Sequence, residues 1–138
     1  MIENAIKTLL QSAGGITDLV GTRMYPVVAP QRAKYPLITY QIVSEIPVYQ
    51  MEGAAGLSGV RLQLDYWAVP RRSPPGYDPY DIVRTMSEIA RVTLSGFRGT
   101  VSTHNIQACF MLNARALHDN DTETFRISQD WDIAFGQV

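Results

Sequence analysis

The sequence holds a single cysteine, Cys109, among 138 residues. One thiol makes neither an internal disulfide nor a multi-cysteine zinc site. Cys109 lies in the apolar run 106–112, where it reads as a small buried hydrophobe, and such sparing use of cysteine fits assembly in the cytosol. Histidine is almost as scarce. His104 and His118 stand at the two ends of one predicted strand, and a strand's rise of about 3.3 Å per residue holds them too far apart to share a metal within one subunit. An excess of charge of one sign is also missing. The formal net charge is −1, from 12 basic and 13 acidic residues. The two halves are balanced, with five of each up to Val69 and seven basic against eight acidic after it. That excludes the basic footprint of a chain that lives by phosphate contacts and leaves DNA contact only in transit. No apolar run approaches the length of about 18 residues needed to span a membrane. The N-terminus, Met1-Ile2-Glu3-Asn4, lacks the basic start and apolar core of a signal peptide.

Reaction chemistry is missing in the same way. The glycine patterns that cradle phosphates or dinucleotides are absent, and Gly14-Gly15 follows a helix rather than a strand. No Gly-x-Ser-x-Gly elbow occurs, and Ser95-Gly96 ends a helix. The one group of candidate metal ligands, His118, Asp119, Asp121 and Glu123, falls short of a calcium loop's oxygen set and reads as a solvated turn. Asp65 could meet Asp130 or Asp132 across strands as an acid–base pair. The plainer reading is sheet carboxylates that are solvated or paired with Arg61 and Arg126. The residues therefore predict no catalytic group, no cofactor and no metal.

What is present is periodicity. Ile2, Ala5, Ile6, Leu9 and Leu10 follow a helical apolar stripe that Gly14-Gly15 closes, and Thr17 reads as the N-cap of one further turn ending at Gly21. Residues 22–35, broken by Pro26 and Pro30, read as an extended arm. Leu37 to Ser44 and Val60 to Val69 read as strands. In the second, Val60, Leu62, Leu64, Tyr66 and Ala68 alternate with Arg61, Gln63, Asp65 and Trp67. The connection Glu45 to Gly59, with glycines at 53, 56 and 59, reads as a long loop. After the stiff loop Arg71 to Tyr77 comes a helix, with Asp78 as N-cap, Pro79 at its first position, and an apolar face of Ile82, Val83, Met86, Ile89, Ala90 and Thr93. Ile106 to Ala114 and Phe125 to Phe135 read as a hairpin around the Asp- and Asn-rich turn 118–122. The expected fold is a single α+β domain spanning 1–138. It has two layers, an antiparallel four-stranded sheet with two helices on one face, in the order helix-strand-strand-helix-strand-strand.

Trp131 falls in the apolar register and is expected in the core. Trp67 shares its face with Arg61 and Asp65 and is the candidate for an exposed aromatic at an interface. A stacking platform for single-stranded nucleic acid is the alternative use of such aromatics, and the missing positive charge weakens it. Arg71 and Arg72, beside two prolines, read equally as a contact loop or as an exposed linker.

Four stretches, in order along the chain, carry a family likeness. They are Val20-Gly21-Thr22-Arg23-Met24-Tyr25-Pro26 after the first helix, Pro36-Leu37-Ile38-Thr39-Tyr40-Gln41, Arg61-Leu62-Gln63-Leu64-Asp65-Tyr66-Trp67-Ala68, and Arg126-Ile127-Ser128-Gln129-Asp130-Trp131. Together they resemble the tail completion, or tail terminator, proteins of long-tailed bacteriophages. The departures are the proline-rich loop at 71–77 and the glycine-rich connection at 53–59. The resemblance implies a structural, non-enzymatic virion protein, assembled in the host cytoplasm. It would form a homo-oligomeric ring, usually a hexamer, that caps the tail tube and joins it to the head connector. Its partners would be copies of itself, the tail tube protein and the connector or stopper protein. Head-to-tail rings use two different patches per subunit. The candidates for subunit contact are the sheet edges and the Trp67 face, with Arg61 and Asp65. Partner contact falls to the connection 48–58, with Tyr49, Met51, Glu52 and Leu57, to the arm 26–35, with Arg32 and Lys34, and to Arg71 and Arg72. A stopper subunit of the head–tail joint is the alternative within the same class; a small hydrolase or a nucleic-acid-binding module are the alternatives outside it.

Overall fold

The computed structural model describes residues 2–50, 53–70 and 76–137. The helix that the sequence marks most firmly is α3, Pro79–Leu94. The Asp78 carboxylate accepts the Tyr80 backbone N–H at 3.0 Å, satisfying one donor that a helix start leaves open. Pro79 sits where no N–H is needed, and Gly96, at φ +71°, turns the chain away just past the end. Val83, Met86, Ala90 and Leu94 are buried along one stripe. The N-terminal stripe forms α1, Ile2–Gln11. The next turn is longer than expected. It begins at Gly14 as α2, Gly14–Val20, so Thr17 lies inside the helix rather than capping it. Its hydroxyl instead donates to the Gln11 carbonyl at 2.8 Å, satisfying an acceptor that the end of α1 leaves open.

Among the described residues the sheet has six strands rather than four, in the order β1-β2-β3-β6-β5-β4. β2 (Leu37–Gln50), β3 (Gly53–Ala68), β6 (Thr124–Gln137) and β5 (His104–Asp119) are the expected four, and each pairs antiparallel with its neighbour. Two short strands extend the margins. β1, Met24–Pro26, lies in the supposed arm and pairs parallel with β2. β4, Gly99–Val101, pairs antiparallel with the start of β5. The purely antiparallel four-stranded sheet is thus corrected to a mixed six-stranded one, and the two helices to three.

A second correction concerns 45–59. Instead of a loop, β2 and β3 stay paired through Ile46↔Gly59, Val48↔Leu57 and Gln50↔Gly53. The glycines of this stretch argued against strand on propensity, yet propensity in sheets yields to the neighbouring strand that takes up the backbone groups. A third correction concerns β5. The period of two that a strand from Ile106 to Ala114 implies, with Ile106, Ala108, Phe110, Leu112 and Ala114 on one face, is broken by register shifts at Ile106/Ala108 and Met111/Asn113. Each shift moves the following side chains to the other face. Cys109 therefore joins Ile106 in the core, whereas Phe110 and Leu112 are 58% and 46% exposed.

The core lies between one sheet face and the helices. Val60, Leu62, Leu64, Tyr66 and Ala68 of β3 and Ile127, Trp131 and Ile133 of β6 pack against Ile6 and Leu10 of α1 and Val83, Met86 and Ala90 of α3. One polar side chain is built into this core. Gln129 accepts the Tyr66 hydroxyl at 2.7 Å and the Trp131 Nε1–H at 3.2 Å, and its own amide donates to the Ser87 carbonyl of α3 at 3.0 Å. The bonds tie β3, β6 and α3 together and leave the buried amide satisfied. Burial, and then the neighbouring Asp65 carboxylate, push the Tyr66 hydroxyl well above the usual tyrosine range, so it remains a donor.

Candidate assembly interface

The helices cover one face of the sheet and leave the other without a helical layer. The period of two places Thr39 of β2, Gln63, Asp65 and Trp67 of β3, and Arg126, Ser128 and Asp130 of β6 on this outer face. Cross-strand register sets Trp67 opposite Leu37 on one side and Arg126 on the other, with Asp65 between Thr39 and Ser128. Trp67 is half-buried and held at two points. Its indole N–H donates to Thr39 Oγ1 at 2.9 Å, and the Arg126 guanidinium lies over its ring, 4.9 Å from the centroid. A guanidinium over an indole is attracted by the ring quadrupole. The ring is thereby fixed in orientation while part of it stays in reach of a partner, which is what an aromatic anchor at an interface requires.

Asp65 behaves differently from the solvated or Arg-paired residue expected. It is 7% exposed, and its carboxylate accepts the Gln63 amide at 3.0 Å. The arginines go elsewhere: Arg126 stacks on Trp67, and Arg61 is exposed at the position opposite Asp132. An ion pair on this face joins Arg115 to Asp130 at 3.1 Å. It is a partly exposed pair of the kind that contributes little to stability.

Two open clefts meet at Trp67. One, of about 420 Å³, lies between the arm and the outer face and is lined by Val27, Val28, Tyr35, Thr39, Gln63 and Trp67. The other, of about 750 Å³, runs from Tyr35, Trp67 and Arg126 to the β5–β6 turn at Asp119 and Asp121. The arm presents Val27 and Val28 at 62% and 73% exposure, and Val27 adopts φ +64°. A β-branched residue avoids that region because its Cβ crowds the backbone. Here the Val27 N–H donates to the Tyr40 carbonyl and the Val28 N–H to the Pro26 carbonyl, at 2.8 and 2.7 Å. Arg32, at φ +65°, and Lys34 are exposed on the same arm.

Of the residues expected at an interface, Trp67, Arg61 and Asp65 thus share one face, and Arg32 and Lys34 stand on the arm beside it. Tyr49 and Leu57 lie on the β2–β3 hairpin. Met51, Glu52, Arg71 and Arg72 lie outside the described residues. Reading single residues missed Arg126, Thr39 and Tyr35, which hold or flank the indole. The signal for Arg126 was available, since it occupies the polar phase of its strand. The Thr39 contact depends on cross-strand register, which sequence spacing does not give.

Among the described residues the chemistry-bearing groups do not converge. Burial pushes the Cys109 thiol up to about 12, where it is not a nucleophile at neutral pH. His104 is buried against Phe135, ring centroids 5.4 Å apart. His118 stacks instead on Phe125 at the far end of β5, 4.4 Å between centroids. Among the described residues no three His, Cys, Asp or Glu side chains come together as a metal site, and no helix is long and apolar enough to cross a membrane.

A family model described as Tail completion protein gp17 matches residues 4–136. The chain belongs to this family. Tail completion proteins are structural components of the bacteriophage virion tail, and that is the class of this chain. Among solved structures, a chain from the virion of a native gene transfer agent particle shares the fold with a TM-score of 0.70. That match covers 95% of this chain and 91% of the other at 15% identity. No curated protein matches in sequence. The family match runs through both hairpins and all three helices, so the Trp67 face, the arm and the sheet margins all belong to the tail completion fold.

Proposed function

We propose that this tail completion protein closes into a ring of identical subunits, a hexamer, that terminates the tail tube and joins the tail to the head connector. The family match over residues 4–136 carries the reading. The outer face supports it. An oriented, half-exposed indole, an arm with exposed valines and two clefts make a surface suited to protein partners. In this reading the Trp67 face and the arm, with Arg61, Arg32 and Lys34, take up neighbouring subunits or the tube, and Asp65 acts through Gln63. The β2–β3 hairpin, with Tyr49, Met51, Glu52 and Leu57, and the Arg71-Arg72 loop reach the tail tube protein or the connector. DNA passes through the ring without a dedicated site.

The test is negative-stain microscopy of the protein mixed with purified tail tubes. Rings at one tube end, with further tube growth arrested, support the terminator role. Bare tubes, with the protein bound to head connectors instead, overturn it and assign the stopper position.

A further inference from the structure

β2 and β5 are covered by the short marginal strands β1 and β4 for only part of their length. β1 pairs with β2 from Met24↔Ile38 to Pro26↔Tyr40. Beyond Tyr40, β2 runs on to Gln50 with no other strand on that side among the described residues. At the opposite margin β4 covers β5 from Val101↔His104 to Gly99↔Ile106, and β5 runs on to Asp119 in the same condition. The two covers sit at opposite ends of the sheet. Across the register, Gln41 is level with Gln63, Asp130 and Asn113, and Glu45 is level with Val60, Ile133 and Cys109. The Gly96 N–H takes the Cys109 carbonyl at 2.8 Å, so the uncovered stretches share the levels of residues 41–44 on one margin and 110–113 on the other.

An uncovered edge offers a row of N–H and C=O groups to any strand that fits, and proteins usually blunt such edges with charge, proline or brevity. At the shared levels these edges instead expose Val43 at 50% and Phe110 and Leu112 at 58% and 46%. Each edge also carries a register shift at nearly the same level, at Ile42/Ser44 on β2 and Met111/Asn113 on β5. Such bulges bend a strand and disfavour a flat foreign one; they suit a partner bent in the same place. Polarity matches as well. Every step from β2 through β3 and β6 to β5 is antiparallel, so β2 and β5 run in opposite directions. Rotation about a ring axis lying roughly along the strands brings β5 of one copy beside β2 of the next in antiparallel sense. Two different edges meeting head to tail is the geometry that closes a ring.

We propose that the uncovered edge of β2 in one copy docks antiparallel on the uncovered edge of β5 in the next, with Val43 packed beside Phe110 and Leu112, so that the ring is one sheet continued from subunit to subunit. The inference rests on the ring reading and names its contact. Within one copy, β2 and β5 are separated by β3 and β6, three strand spacings or roughly 14 Å, so a short cross-linker at Phe110 cannot reach β2 of its own chain.

The experiment places the photo-cross-linking amino acid p-benzoylphenylalanine at position 110. The full chain is assembled on purified tail tubes and irradiated, and the adducts are mapped by peptide mass spectrometry. The expected result is attachment to residues 41–46 of a neighbouring copy, with multi-step ladders on denaturing gels. Rings seen by microscopy whose adducts fall elsewhere, including on β5 of a second copy, overturn the edge contact and leave the ring reading standing. Absence of rings overturns both. As a second measurement, Val43→Asp, at a half-exposed site that leaves the fold intact by circular dichroism, lowers the fraction of capped tubes about tenfold. An unchanged fraction overturns the edge contact.

Discussion

Replacing Gln129 by methionine keeps the volume and removes both poles of the amide. The Tyr66 hydroxyl and the Trp131 N–H then lose their acceptor inside a core where both residues are 0% exposed. An unsatisfied buried donor costs about 1–3 kcal/mol, and two of them set the gross penalty at roughly 2–6 kcal/mol. The methionine returns part of this, because a buried amide no longer needs desolvating. The Ser87 carbonyl loses only a second partner, since it lies inside α3 where the helix ladder already uses it. The net expectation is a loss of about 2–4 kcal/mol, or roughly 6–15 °C in Tm for a chain of this length. Urea unfolding followed by tryptophan fluorescence measures it, because Trp131 itself sits in the network. The decisive part is a double-mutant cycle with Tyr66→Phe. Phenylalanine removes one of the two orphaned donors, so the double variant should be less destabilised than the sum of the singles by about 1–2 kcal/mol. A Gln129→Met change within about 0.5 kcal/mol of wild type, or strict additivity with Tyr66→Phe, would refute the claim that this amide holds the layers together.

Trp67→Ala should weaken assembly or tube capping by about 2 kcal/mol, near thirtyfold in Kd, with circular dichroism unchanged. Sedimentation in the presence of tube ends checks it, and equal capping would remove Trp67 from the contact. Thr39→Val deletes the acceptor of the indole N–H and should produce a smaller loss of the same kind through a less fixed ring. Cys109 should resist thiol reagents at pH 8 in the folded chain and react stoichiometrically in denaturant, because burial raises its thiol to about 12; rapid labelling of the native protein would contradict its place in the core. Burial first, then the positive N-terminus, lower His104 from the ordinary histidine value of 6.5, against an opposing pull from Glu3. The unfolded state then binds the proton more readily, so stability is full above about pH 6.5 and falls as the pH drops below that value. A Tm series from pH 7.5 to 5 shows this slope, and His104→Phe should flatten it.

How far the sequence could be read depended on the range of the interaction. Local devices were legible: Asp78 and Pro79 at the start of α3, Gly96 at its end, and the period-two face of β3 with Tyr66 and Leu64 inward. So was the split between the two tryptophans, Trp131 fully buried and Trp67 half-exposed on the outer face. What escaped was decided across strands. The stretch 45–59 looked like a loop because it is long and glycine is a poor strand former, and only the partner strand makes it a hairpin. The two shifts in β5 leave no mark on composition, yet they push Phe110 and Leu112 outward, while Cys109 is buried as its apolar run suggested. Strands as short as Met24–Pro26 and Gly99–Val101 carry too few residues for any alternation to show. The outer face was half legible for the same reason. The residues on it follow from periodicity, whereas the Thr39 and Arg126 contacts that orient Trp67 follow from register.

The proposed closed ring between the tail tube and the head is open to cryo-electron microscopy of the intact virion. The expected density is a single ring of six copies at the head-proximal end of the tube, into which the six-stranded fold fits with its β2 and β5 edges facing neighbouring copies. Density for this fold as isolated copies, or at the distal end of the tail, would overturn the ring.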